Sequence, residues 1–126
     1  MEETQGNRSL LIVEDDPSQL AEYAYRFEEL GYQVCHAVSA EEAIVLARTH
    51  RFAAILTDNI LPGMTGLRSL PELMKCSRAP VFVMTSHHSP ESEQDALLLG
   101  AKAFLKKPLD FAKLHQDLQK VCRERS

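Results

Sequence analysis

Leu10-Leu11-Ile12-Val13-Glu14-Asp15-Asp16-Pro17 is a run of four apolar residues followed by three acids and a proline. An unbroken apolar run this short reads as a strand buried on both faces, the pattern of a parallel sheet covered by helices. The strand ends at the acids. Asp16 is an N-cap candidate with Pro17 at the first helical position, and Leu20, Tyr23, Ala24, Phe27 and Leu30 then recur at helical spacing until Gly31. The first unit is therefore strand, acidic turn, helix.

The same unit returns along the chain. Val34-Cys35-His36-Ala37-Val38 reads as a second strand, and Ser39 with Glu42 forms a capping box that opens a helix through Ala43, Ile44, Leu46 and Ala47. Ala53-Ala54-Ile55-Leu56 is a third strand ending at Asp58, and Leu61-Pro62-Gly63-Met64-Thr65-Gly66 leads to a helix near Leu67 to Lys75. Pro71 counts against that helix as drawn, because an interior proline removes a hydrogen bond and costs about 3 kcal/mol; the helix is expected to start late, to kink, or to take Pro71 into its first turn. Val81-Phe82-Val83-Met84 is the fourth strand, Ser89-Pro90 starts a helix ended by Gly100, Ala103-Phe104-Leu105 is the fifth strand, and Asp110 caps a last helix carrying Phe111, Leu114, Leu118, Val121 and Cys122.

Five strand-then-helix units with short connections predict an α/β domain, a parallel sheet wound with helices on both faces, since parallel neighbours need crossover connections. The 126 residues suffice for one such domain. Residues 1–8 are set apart as a flexible N-terminus, and 9–126 as the domain. A net charge of -4 lacks the basic excess that direct nucleic-acid binding needs. No apolar run approaches the ~20 residues of a membrane span. Cys35, Cys76 and Cys122 are odd in number and lack metal-type spacing, so they read as reduced thiols of a cytoplasmic protein. Neither a dinucleotide-binding nor a P-loop glycine pattern is present.

In open α/β sheets the ligand site lies beyond the carboxyl ends of the strands. The charged and hydroxyl residues stand there: Glu14 and Asp15 after strand one, Asp58 after strand three, Thr85 and Ser86 after strand four, Lys107 after strand five. Three carboxylates within about 5 Å repel by roughly 3 kcal/mol per pair at an effective dielectric near 20, so positive charge must compensate. An all-oxygen donor set favours a hard cation, Mg²⁺ best. Mg²⁺, the Lys107 ammonium, the Thr85 hydroxyl and a carboxylate able to attack suit phosphoryl transfer onto that carboxylate. Asp16 reads as an N-cap rather than a ligand, and His87 and His88 as solvated loop histidines.

The motifs Leu-Ile-Val-Glu-Asp-Asp, Thr-Asp-Asn-Ile-Leu-Pro-Gly-Met-Thr-Gly, Val-Met-Thr-Ser and Gly-Ala-Lys-Ala-Phe-Leu-Lys-Lys-Pro occur here in the order found in a known family. From about Ser9 to Cys122 the chain resembles the receiver domain of bacterial two-component response regulators. The resemblance implies a five-stranded sheet of order 2-1-3-4-5 in a flavodoxin-like fold. It implies that Asp58 accepts phosphate from a sensor histidine kinase or phosphotransfer protein, and that Asp15 and Asp58 coordinate Mg²⁺ directly. Glu14 would hold the ion largely through water, and the Ile60 carbonyl would complete the protein ligands. Thr85 would swing toward the phosphate, Lys107 would pair with it, Phe104 would follow inward, and the Lys107-Pro108 bond would be cis. The output would be a changed face of the fourth helix, fifth strand and last helix, offered to a downstream effector or to a second copy.

The chain departs from the family pattern in places. Phe104 replaces a tyrosine and so lacks its hydroxyl. Ile60, two residues after Asp58, cannot orient an attacking water, which predicts slow autodephosphorylation. Ala101-Lys102-Ala103-Phe104 lacks the paired acids of many winged-helix regulators. As a switch the protein would be no enzyme beyond its own phosphorylation and dephosphorylation. The other readings are a phosphorylation-independent interaction module and a Mg²⁺-dependent aspartyl-phosphate phosphohydrolase of the haloacid-dehalogenase kind, though the latter needs Asp-x-Asp where Glu14-Asp15-Asp16 stands.

Overall fold

The computed structural model describes residues 7–61 and 63–125, with side chains to Val121. Met1 to Gly6, Pro62 of the loop motif and the Cys122 thiol, all part of the reading above, lie outside the described residues and side chains. Five strands, β1 (Ser9–Val13), β2 (Gln33–Ala37), β3 (Ala54–Asp58), β4 (Val81–Thr85) and β5 (Ala103–Lys106), alternate with five helices, α1 (Pro17–Glu29), α2 (Ala40–Thr49), α3 (Gly66–Cys76), α4 (Pro90–Leu98) and α5 (Phe111–Arg125). All neighbouring strands pair in parallel, in the order β2-β1-β3-β4-β5. The sheet order expected from the resemblance is the order observed.

Alternation along each strand divides the core in two. Leu10, Ile12, Ala54, Leu56, Phe82 and Met84 meet Leu20, Tyr23 and Phe27 of α1 and Leu114 and Leu118 of α5 on one face. Leu11, Val13, Ile55, Val81 and Val83 meet α2, α3 and α4 on the other. Central strands therefore have no polar side, which is why they read as continuous apolar runs rather than alternating ones. Each face also explains a helix period: the buried residues of α2 are Ala40, Ala43, Ile44 and Ala47, a stripe of small side chains that lets the helix lie close to the sheet.

The caps foreseen in the sequence are made, with one change of partner. Asp16 Oδ1 accepts from Ser18 N–H at 3.0 Å, and Asp110 Oδ1 accepts from Lys113 N–H at 3.1 Å. Ser39 Oγ accepts from Glu42 N–H, but Glu42 Oε1 reaches back to the N–H of Val38, at 2.7 Å, rather than to that of Ser39. Helix α3 neither starts late nor takes Pro71 into its first turn. It begins early, at Gly66, and carries Pro71 in its interior, on the exposed side. Leu70 and Leu73 beside it are buried, and that burial holds the segment helical despite the missing N–H.

At the amino-terminal end, Asn7 Nδ2 donates to Arg51 O, while Arg8 donates to Leu30 O and Gly31 O and lies over the Tyr32 ring. The chain can leave α1 in this direction because Gly31 adopts φ +95°, a conformation closed to most side chains.

Candidate functional site

Parallel strands put all their carboxyl ends on one rim, and the residues singled out by sequence gather there. Strand β1 delivers Glu14 and Asp15, and β3, its direct neighbour, delivers Asp58. Ligand oxygens of Glu14, Asp15 and Asp58 all lie within 4.8 Å of one another. Strand β4 ends at Thr85, one residue beyond Met84, the ladder partner of Asp58, and β5 leads into Lys107, which a cis bond joins to Pro108. Lys107 Nζ donates to Glu14 Oε1 at 2.9 Å and to Asp58 Oδ2 at 2.9 Å. Two acids, 93 and 49 positions before Lys107 in sequence, thus share its ammonium.

Burial sets the electrostatics. Glu14 is 1% exposed and Asp58 7%, whereas Asp15 is exposed. Burial raises the Glu14 carboxyl above the usual carboxylate range; bonds from Lys107 and from the Asp16 N–H pull it down, and Asp58 pushes it up again, so the net direction is upward. Burial alone would lower Lys107, but its bonds to Asp58 and Glu14 outweigh that, and the ammonium is held above the ordinary lysine value. Lys107 is therefore charged at neutral pH.

The acids outnumber the ammonium. Three carboxylates against one lysine leave a negative excess in a largely dehydrated rim, which suits a divalent cation. The donors are all oxygens, as a hard ion requires. Their spread of up to 4.8 Å slightly exceeds the ~4.2 Å between opposite ligands of a Mg²⁺ at ~2.1 Å. That fits an ion that keeps water between itself and one of the three. The residues present thus fit Mg²⁺.

Around the acids, Asp58 Oδ1 accepts from the Ile60 N–H at 3.2 Å, while the Ile60 side chain is 54% exposed over the β3–α3 loop. Thr85 is buried, and its Oγ1 accepts from the His87 N–H at 3.0 Å. Phe104 is already inward, 8% exposed, in contact with the His88 ring at 5.8 Å. His88 is more engaged than a solvated loop histidine, since its Nε2 lies 2.8 Å from Glu93 Oε1. His87 pairs with Ser86 Oγ instead. Asp16 is the N-cap expected.

Sequence reasoning missed Gln19. Its Oε1 accepts from Lys107 Nζ at 2.7 Å, shorter than either carboxylate bond, and from the Tyr23 hydroxyl at 3.0 Å. The available signal was spacing: Asp16, Gln19 and Tyr23 are three and four apart on the first turns of α1, one face directly beneath the strand ends.

Comparison with known proteins agrees with this geometry. The family described as "Response regulator receiver domain" matches residues 10–119. The transcriptional regulatory protein ZraR of Escherichia coli K12 is 35% identical over 119 residues, covering 94% of this chain and 27% of that protein; this chain thus spans about a quarter of the length of that relative. A response regulator from Burkholderia pseudomallei, solved with a phosphorylated aspartic acid, calcium ion and citrate, superposes with a TM-score of 0.85 at 27% identity, covering 94% of this chain and 70% of that one. The receiver domain of a Pseudomonas aeruginosa sensor histidine kinase, solved with magnesium in the active site cleft, does so with 0.82 at 26% identity, covering 93% and 98%. The family match runs from the first buried strand well into the last helix, over the same rim of acids and lysine, and on it the chain belongs to the response regulator receiver domains of two-component systems.

Proposed function

We propose that Asp58 is the phosphoryl acceptor of a signalling switch and that Glu14, Asp15, Asp58 and the Ile60 carbonyl hold Mg²⁺. One observation carries the reading: Lys107 bonds Asp58 and Glu14 together at 2.9 Å in a rim where three carboxylates outnumber it. In the transfer, an Asp58 carboxylate oxygen forms a bond to phosphorus as the P–N bond of a phosphohistidine breaks, its electron pair returning to the imidazole. Bound Mg²⁺ supplies charge to neutralise the phosphoryl oxygens. A Lys107 N–H donates to a phosphoryl oxygen, and the Thr85 hydroxyl donates to another. The donor is a sensor histidine kinase or phosphotransfer protein. The protein catalyses only its own phosphorylation and dephosphorylation.

Output follows from packing. Thr85 leaving its bond with the His87 N–H disturbs the β4–α4 loop, which carries His88 against Phe104. Helix α4 has a single buried residue, Ala96, so its position is cheaply changed. The face of α4, β5 and α5 therefore changes its affinity for an effector domain, an effector protein or a second copy.

The test is intact mass after incubation with acetyl phosphate and Mg²⁺, beside Asp58→Asn. A gain of one phosphoryl group, lost in the variant, is the expected outcome. Catalytic turnover of a phosphoester would favour the phosphohydrolase, and no gain the phosphorylation-independent module.

A further inference from the structure

A lysine ammonium has three N–H donors, and Lys107 places all three. Two go to Glu14 Oε1 and Asp58 Oδ2; the third and shortest goes to a neutral amide oxygen, Gln19 Oε1, at 2.7 Å. The amide is itself fixed at both ends. Its oxygen also accepts from the Tyr23 hydroxyl at 3.0 Å, and its nitrogen donates to Asp16 Oδ2 at 3.3 Å. Exchanging oxygen and nitrogen would set Nε2 against two donors and Oε1 against a carboxylate, so the neighbours dictate the orientation. Tyr23 is 5% exposed, with its ring 5.8 Å from Nζ, and Asp16 is bound to the start of α1. Gln19 also lines an open cleft of about 510 Å³ with Tyr23, Ser86 and Lys107, so it stands where the ammonium would otherwise turn toward water.

We propose that Gln19 is a positioning residue for Lys107, fixing rotation about the Cε–Nζ bond so that the two remaining N–H groups point at the carboxylates and at the place of the incoming phosphoryl oxygen. The proposal rests on the phosphoryl-acceptor reading. In reaction with acetyl phosphate, the Asp58 oxygen bonds to phosphorus while the P–O bond to acetate breaks, acetate leaving with the electron pair; charge shifts onto oxygens that a preoriented N–H meets without reorganisation. An ammonium released into the cleft meets them only part of the time.

The test compares wild type with Gln19→Met, which keeps length and loses the acceptor, and with Tyr23→Phe, which removes one of the two groups holding the amide. The rate constant at saturating acetyl phosphate is expected to fall about fivefold in the first and about twofold in the second, with half-saturation unchanged. On unphosphorylated protein, the slowly exchanging ¹H–¹⁵N signal of the Lys107 ammonium is expected in wild type and lost in Gln19→Met. A signal that persists in Gln19→Met overturns the proposal whatever the rate does, as does a Gln19→Met rate within twofold of wild type. If wild type takes up no phosphate, the acceptor reading fails, and the ammonium signal alone still decides whether Gln19 orients Lys107. Should Gln19→Met not fold, Tyr23→Phe with Gln19→Leu carries the same comparison.

Discussion

Glu14 is the residue on which the rim's cost falls. Its proton is held more tightly in the native protein than in the unfolded chain, because burial outweighs the help of Lys107. Through the pH window between the two values the native state binds more protons, so stability falls as pH rises. Lys107 acts at the other end of the scale: raised in the native state, its contribution is complete below the ordinary lysine value and is lost only as pH climbs through the native one. We expect metal-free Glu14→Gln to gain thermal stability relative to wild type on going from acid to neutral pH, and Mg²⁺ to raise the melting temperature of wild type more than that of the variant. Melting curves across pH, with and without Mg²⁺, check both. A second expectation concerns Ile60, whose apolar side chain is 54% exposed beside Asp58 and cannot direct a water. Phosphorylated wild type should hydrolyse slowly, and Ile60→Asn should hydrolyse about tenfold faster, by timed mass spectrometry. A wild-type half-life of seconds would refute it.

Among the elements, α3 depends on one contact that side-chain patterns do not reveal. A Cβ on Gly66 would stand 2.6 Å from Asp58 O and 3.0 Å from Asn59 Cα, against backbone that has nowhere to go. Gly66→Ala should therefore cost about 2–3 kcal/mol in urea unfolding and slow phosphorylation, since it pushes the helix start against Asp58 itself. The strands and four of the helices were legible because their signals are local: apolar runs for β1, β3 and β4, caps at Asp16, Ser39, Ser89 and Asp110. Helix α3, expected near Leu67 to Lys75, is found at Gly66–Cys76; only the effect expected of Pro71 on its start fails, because the proline is a local penalty while the burial of Leu70 and Leu73 is a tertiary gain. The site was legible for a different reason. Strand ends collect at one rim in any parallel sheet, so Glu14, Asp15, Asp58, Thr85 and Lys107 could be grouped without coordinates, whereas Gln19 enters from a helix and needs the crossing geometry of α1 over the sheet. The inward stance of Phe104 is likewise a rotamer, which composition does not encode.

Across the whole molecule, burial is uneven. The central strands β1, β3 and β4 are buried on both faces, but α4 buries Ala96 alone and leaves Leu97 and Leu98 exposed, with its C-cap Leu99. Hydrogen exchange under native conditions should show the amides of α4 opening well before those of β4, the strand that precedes it, and protection in α4 should change on phosphorylation more than in α2. Equal protection in α4 and β4 would argue against a mobile output helix.

Because every strand runs the same way, the domain has a working end and an idle end. Arg51 and Arg78 are exposed ahead of β3 and β4, at the opposite ends of those strands from the acids. A dye, a surface tether or a fused neighbour attached there would leave the phosphoryl chemistry alone, which gives this protein a natural handle.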